Sequence, residues 1–298
     1  MNKLDIRAAA PPGTASFPSF WQRARRHTGF AVGAVLTALM AAAALLSLLW
    51  QPYSPADINI PNKLQAPSLA HWLGTDSLGR DVFSQLWVGA QNSIAVGVVA
   101  VGIGLVLGVA LGCTAAAAQH NGRGWLNELI MRGSDFTFAF PALLTAIMLS
   151  AIYGPGLLMS MVAIGIFNVP VFARVTQAAA ASVWGRDFVS AARAAGLGPL
   201  AITRSHVLPN IAAAITVQAT IAFATAILAE AALSYLGLGT QPPQPSWGRM
   251  LNEAQMQMFQ APWLALWPGL AIMASVLGLN LMGDGLRDLL DPKLARGR

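Results

Sequence analysis

The sequence predicts an all-α integral membrane protein with six transmembrane helices and both chain ends in the cytoplasm. Three observations carry this. Of 298 residues, 55% are hydrophobic and only 10% charged, and the mean hydropathy is +0.57, against about 25% charged in an ordinary soluble domain. Six runs, residues 29–50, 93–118, 136–153, 156–173, 211–228 and 263–282, contain no Asp, Glu, Lys or Arg, and each reaches the roughly 18 residues needed to cross about 30 Å of hydrocarbon. Basic residues then fall unevenly between alternate connections. With the N-terminus inside, the inner segments hold Lys3, Arg7, Arg23, Arg25 and Arg26, then Arg123 and Arg132, then Arg174, Arg186, Arg193 and Arg204, then Arg287, Lys293, Arg296 and Arg298, and only Lys63, Arg80 and Arg249 of the 18 are outside. Lys and Arg concentrate on the cytoplasmic side of membrane proteins.

Residues 1–28 form a predicted cytoplasmic tail in which Arg23, Arg25 and Arg26 stand beside Phe17, Phe20 and Trp21, a combination suited to an anionic membrane surface. Residues 29–90 comprise the first span and an extracytoplasmic segment. The length of that span, and of the chain before it, favours an uncleaved anchor over a removable signal peptide. In the extracytoplasmic part, Asp76 or Asp81 is placed to cap a short helix into the second span, and Arg80 beside Asp81 reads as a local ion pair. The second span carries Gly104, Gly108 and Gly112 at four-residue spacing, a face on which membrane helices approach closely. Tyr153-Gly154-Pro155-Gly156 is a tight turn that makes a hairpin of the third and fourth spans. Pro141, Pro170 and Pro268 are candidate kinks. After the fifth span, Ser246 is placed to cap an outer helix whose Trp247, Met250, Leu251, Ala254 and Met258 recur at helical spacing, so it lies on the membrane or the outer mouth of the protein. The five spans of residues 91–284 make the core, and 285–298 a second cytoplasmic tail.

Between the fourth and fifth spans lies the polar stretch 184–210, WGRDFVSAARAAGLGPLAITRSHVLPN. Asp187 is a good N-cap for an alanine-rich helix over 188–195. Gly196 and Gly198 stop that helix, and Pro199 starts a second one reaching His206, which Leu208-Pro209 ends. The first limb has a small-residue face, Ala191, Ala192, Ala194 and Ala195, which another protein's groove can approach.

Other chemistry is thinly represented. The net charge of +6 and pI near 10.2 are spread over loops, without the basic-aromatic patch of a nucleic-acid binder. Cys113 is the single cysteine, so no intrachain disulfide forms. Lys3, Lys63 and Lys293 never follow a glycine, which excludes a standard phosphate-binding loop. His27, His71, His120 and His206 have no metal-site spacing, and no nucleophile elbow is present, so neither a catalytic, a cofactor nor a metal site is expected. Glu230, near the outer end of the fifth span, reads as a packing or hydrogen-bonding group at least as readily as an ion-handling one. An ion-coupled transporter is a second reading, set against by nearly charge-free spans and the absence of matching inverted halves.

The 184–210 stretch resembles the cytoplasmic coupling motif of ABC-importer permeases, Glu-Ala-Ala, three residues, Gly, nine residues, Ile, any residue, Leu-Pro. Ala191, Ala192, Gly196, Leu208 and Pro209 fall on it, while Ser190 replaces the glutamate and His206 the isoleucine. With Asp187 as N-cap, Ser190 occupies N3, where a glutamate would close a capping box. Residues 71–86 with Gly74-Thr75-Asp76 and Gly79-Arg80-Asp81, residues 232–251, and Gly283-Asp284-Gly285-Leu286-Arg287-Asp288 with Asp291-Pro292 are similar to the dipeptide and oligopeptide permeases of the C type (Opp/Dpp). The resemblance implies an ABC type I importer permease fold in the bacterial inner membrane, with no catalysis of its own. It implies a homologous second permease subunit, two ATP-binding subunits and an extracytoplasmic solute-binding protein as partners, besides membrane lipid. It also implies that Asp187, Ser190, Ala191, Ala192, Gly196, Leu208 and Pro209 couple the chain to the ATPase. Dipeptide, oligopeptide, nickel-chelate and glutathione systems share these motifs.

Overall fold

A computed structural model describes residues 20–290. Lys3, Arg7, Phe17, Asp291, Pro292, Lys293, Arg296 and Arg298 lie outside the described residues, as do the side chains of Phe20, Trp21 and Arg26 in the expected basic-aromatic cluster. Eleven α-helices are found among the described residues: α1 Phe20–Arg26, α2 Thr28–Leu46, α3 Val82–His120, α4 Gly124–Ala139, α5 Ala142–Tyr153, α6 Leu157–Trp184, α7 Asp187–Ala194, α8 Pro199–Ile202, α9 Leu208–Tyr235, α10 Trp247–Ala254 and α11 Trp263–Leu290. The one strand-like feature there is an isolated bridge between Thr75 and Asp81.

Five helical stretches are long and apolar enough to span a bilayer, and the pair α4 and α5, bent by 79°, makes a sixth candidate. The third run was expected as one span. Pro141 divides it, because its ring forces the preceding residue out of the α region; Phe140 sits at φ −95°, ψ 122°. Pro170 and Pro268 instead stay inside α6 and α11. Asp135 of α4 pairs with Arg174 of α6, and the Arg174 guanidinium lies 5.0 Å from the Phe138 ring, so the bent element is tied to α6.

The α3–α6 contact is the most extensive in the molecule. It is built on the glycine face as expected. Gly104 faces Asn168, Gly108 faces Phe172 and Val169, and Gly112 faces Ala173 and Thr176. In lipid no water drives helices together, so dispersion at close range must do so. Helices α2 and α9 pack on α11, and α9 also on α6 and α3.

His27 caps α2, its Nδ1 accepting from the Phe30 N–H at 3.1 Å, and its Nε2 lies 3.2 Å from Asp288 near the end of α11. The start of the first span and the end of the last therefore lie on one side. The His120 and Trp184 rings, 6.1 Å apart, bring the ends of α3 and α6 together, and with them α7 and α8. Antiparallel packing of α9 on α11, with Thr220 against Gly283, puts this group on the same side as His27.

The opposite side is built from residues 51–81 and α10. Asp81 caps α3, accepting from the Ser84 N–H at 2.7 Å, but the helix it starts is the 39-residue span itself. The expected Arg80–Asp81 pair is replaced. Asp81 faces His71 at 2.9 Å, whereas buried Arg80 donates from Nε to Asp76 at 2.6 Å and from Nη2 to Glu253 at 2.6 Å. Adjacent side chains in the turn point apart, and tertiary contact supplies Arg80 with a partner 173 residues away. Ser246 caps α10, accepting from the Arg249 N–H. Trp247, Met250 and Ala254 of α10 are buried, and Trp247 donates from its indole to the Leu86 carbonyl at 2.9 Å, so this helix lies on the protein. Glu230 is wholly buried, accepting from Ser234 at 2.6 Å and Thr240 at 3.4 Å, which holds the loop after α9 against that helix.

Candidate functional site

The polar stretch after α6 folds as a helix–turn–helix, with the first limb a separate short helix and the second continuous with a span. Helix α7 begins one residue earlier than expected. Arg186, at φ −89° and ψ 150°, is the cap residue, and its carbonyl accepts from the N–H groups of Val189 and Ser190 at 3.0 and 3.3 Å. Asp187 is therefore the first helical residue and not the N-cap. There its charge still suits the positive helix end. Ser190 moves to the fourth helical position, outside a capping box. The reason is local: the extended backbone needed by a cap residue is adopted by Arg186, whose side chain makes no capping bond.

The end of α7 follows the expectation. Gly196 has φ +86°, its N–H donates to the Arg193 carbonyl at 3.0 Å, and the Leu197 N–H donates to the Ala192 carbonyl at 3.1 Å. This bond pair is a Schellman ending, which favours a residue without a Cβ. Gly198 then caps α8, with Pro199 at its first position.

The second limb departs from the expectation. Leu208-Pro209 does not end it. Residues Thr203–Val207 form a π-helical turn, and the Leu208 N–H donates to the Thr203 carbonyl, five residues back. A proline inside a helix has no N–H to give and pushes against the carbonyl four residues earlier. The wider turn accommodates Pro209 without a break, so residues Pro199–Tyr235 run as one stretch.

An apolar cluster holds both limbs to the adjoining ends of α3 and α6. Trp184 (2% exposed), Val189 (1%), Ile202 and Val207 are buried with Cys113, Ala116, Ala180 and Ile211, and Ala192 and Leu208 pack at its edge. The Arg193 guanidinium stacks 5.7 Å from the Trp184 ring, and Phe188 meets His206 edge-on at 6.2 Å. Of the seven residues singled out from the sequence, Ala192 and Leu208 thus face the body of the protein. Asp187, Ser190, Ala191, Gly196 and Pro209 are exposed. Leu200, at the tip of the turn, is 82% exposed. The anchors Trp184, Val189, Ile202 and Val207 were not singled out, although an apolar residue at each turn of an otherwise polar stretch is their signal.

Residues 104–296 match the family of binding-protein-dependent transport system inner membrane components. The chain belongs to this family. It is similar to the dipeptide transport system permease protein DppC of Alkalihalophilus pseudofirmus, 44% identical over 263 residues, covering 88% of this chain and 85% of that one. It is also similar to the glutathione transport system permease protein GsiD of Escherichia coli, 43% identical over 276 residues, covering 92% and 90%. A solved structure of the MetNI methionine ABC transporter in an inward-facing conformation shares the fold, with a TM-score of 0.58 and 19% identity over 70% of this chain and 97% of that one. As a member of this family, the chain is a multi-pass inner-membrane permease subunit of an ABC importer, which works with ATPase and solute-binding partners.

Proposed function

We propose that this permease forms half of the pathway for a dipeptide or similarly small peptide, and that residues 184–210 are its docking element for an ATP-binding subunit. The observation that carries this is the two-sided build of the element. One side is pinned into the protein by Trp184, Val189, Ile202 and Val207, while the other offers Asp187, Ser190, Ala191 and Leu200 to solvent. A push on the exposed side reaches α9 directly, because the second limb is the first turns of the fifth span. Two ATP-binding subunits, a homologous second permease and an extracytoplasmic binding protein complete the transporter in this reading. The chain itself hydrolyses nothing. Residues 1–28, 184–210 and 285–298 face the cytoplasm, in keeping with the distribution of Lys and Arg. Peptide is favoured as substrate by the likeness to DppC, a dipeptide transport system permease, and GsiD, a glutathione transport system permease.

The test uses single cysteines in a Cys113→Ala background. Ala191→Cys is expected to cross-link to the ATP-binding subunit in the assembled transporter, and Gln65→Cys and Gln244→Cys to react with an impermeant thiol reagent from outside intact cells. Cross-linking absent at Ala191, or labelling absent at both outer positions, overturns the assignment. Uptake of a labelled dipeptide, competed by peptides and not by metal chelates, tests the substrate class.

A further inference from the structure

A cavity of about 920 Å³ opens between α3, the start of α4 and the α8–α9 limb. Its walls run from Leu105 and Ile215, deep in the spans, to Asn121, Arg123, Pro199 and Thr203 at the end of the helices. From Leu105 to Ala118 along α3 is about 20 Å, a little more than one leaflet of a hydrocarbon core of about 30 Å. The deep lining is apolar and the lining contains no acid. At the polar end, Arg123 has no ion-pair partner among the described residues. Thr203 lines the same end of the cavity, and one N–H of the Asn121 side-chain amide donates to the Ala117 carbonyl at 2.7 Å.

We infer that this groove holds an anionic phospholipid of the leaflet on the coupling side, with its acyl chains along α3 and α9 and its headgroup phosphate on Arg123. The polarity gradient fits such a molecule and no water-soluble anion, which would leave the deep apolar wall uncovered. Basic pockets between membrane helices at the cytoplasmic surface recognise anionic headgroups in this way. Pro199, Thr203 and Leu208 of the coupling limb form one wall, so the lipid bridges α3 to the element that joins α9. That the leaflet is the cytoplasmic one rests on the function proposed above; occupation of the groove does not.

The experiment places the complete transporter in nanodiscs of equimolar phosphatidylcholine and phosphatidylglycerol and measures the lipids retained after detergent extraction, by native mass spectrometry. Phosphatidylglycerol is expected to be enriched, Arg123→Gln to lower that enrichment about fivefold, Arg123→Lys to keep most of it, and Val109→Trp, which fills the groove, to lower retention of both lipids. ATP-driven uptake by the Arg123→Gln complex verifies that it has assembled. Equal retention in wild type and Arg123→Gln overturns the inference, as does full displacement of the lipid by inorganic phosphate. A disulfide from Thr114→Cys to the second permease would also overturn it, by putting a protein in the groove. These results leave the Ala191 cross-link unaffected, so the two proposals fail separately.

Discussion

The N–H of Leu208 donates to the carbonyl of Thr203, five residues earlier, and through that bond the second limb of residues 184–210 enters α9 with no loop between them. A helical connection transmits displacement along its axis, whereas a loop absorbs it. If an ATPase docks on α7 and α8 as proposed, the mechanical path from it to the fifth span is a few turns long.

Gly196 ends α7 at positive φ with nothing within 4 Å of the position a Cβ would take. Substitution there is opposed by backbone conformation alone, at about 1–2 kcal/mol for a non-glycine residue. Gly196→Asn should be nearly neutral, Gly196→Ala intermediate and Gly196→Val most harmful. In reconstituted transporters, uptake per ATP hydrolysed should fall in that order while membrane insertion is unchanged. Normal coupling in Gly196→Val would remove residues 184–210 from the coupling path.

Arg186 caps α7 without a capping side chain and puts a positive charge at the positive end of the helix. Arg186→Ser should stabilise α7 by about 1 kcal/mol, read as slower hydrogen exchange at the Phe188 and Val189 amides. Ser190→Glu, at the fourth helical position, should add only about 0.3 kcal/mol through the helix dipole. A larger gain from Ser190→Glu than from Arg186→Ser would restore Asp187 as the cap.

Gly112 and Gly102 lie on one helix in opposite surroundings. A Cβ at Gly112 would sit 2.7 Å from the Thr176 Cβ, while at Gly102 it would meet nothing within 4 Å. Gly112→Val should cost upwards of about 1–3 kcal/mol by overpacking, visible as loss of monodisperse protein in size-exclusion chromatography. Gly102→Ala should gain about 0.5–1 kcal/mol from helix propensity, raising the thermal midpoint. Comparable losses from both changes would contradict the α3–α6 interface.

Arg80 is 6% exposed and shared between Asp76 and Glu253. Arg80→Ala leaves the buried Asp76 carboxylate without its ionic partner, while Glu253 keeps Arg249 at 2.6 Å, and should cost about 3–5 kcal/mol. Glu253→Ala should cost less, since that side chain is partly solvated and Arg80 retains Asp76. A double-mutant cycle by thermal unfolding should return a coupling energy of at least about 0.5 kcal/mol. An additive cycle would mean that residues 51–81 and α10 are not held together through this pair.

Much of the architecture is legible in composition and periodicity, because a bilayer demands long uncharged runs and positions basic residues between them. The glycine face of α3, the Gly196 stop, the Ser246 cap and the helix that it starts all followed from local rules in which a residue acts on its neighbours within a turn or two. The family, too, is carried by short motifs that survive in linear order. Partnership across the chain is different. Nothing near Arg80 in sequence points to Glu253, and a reading confined to neighbours pairs it with Asp81. Pro209 reads locally as a helix stop, yet packing of Ile202, Val207 and Leu208 against Trp184 and Cys113 outweighs the lost hydrogen bond, and the helix widens instead of ending. Local residue order sets what each segment prefers, and packing selects which preferences prevail, because burial of several side chains together exceeds the fraction of a kilocalorie to a few kilocalories per mole that a single local preference commands.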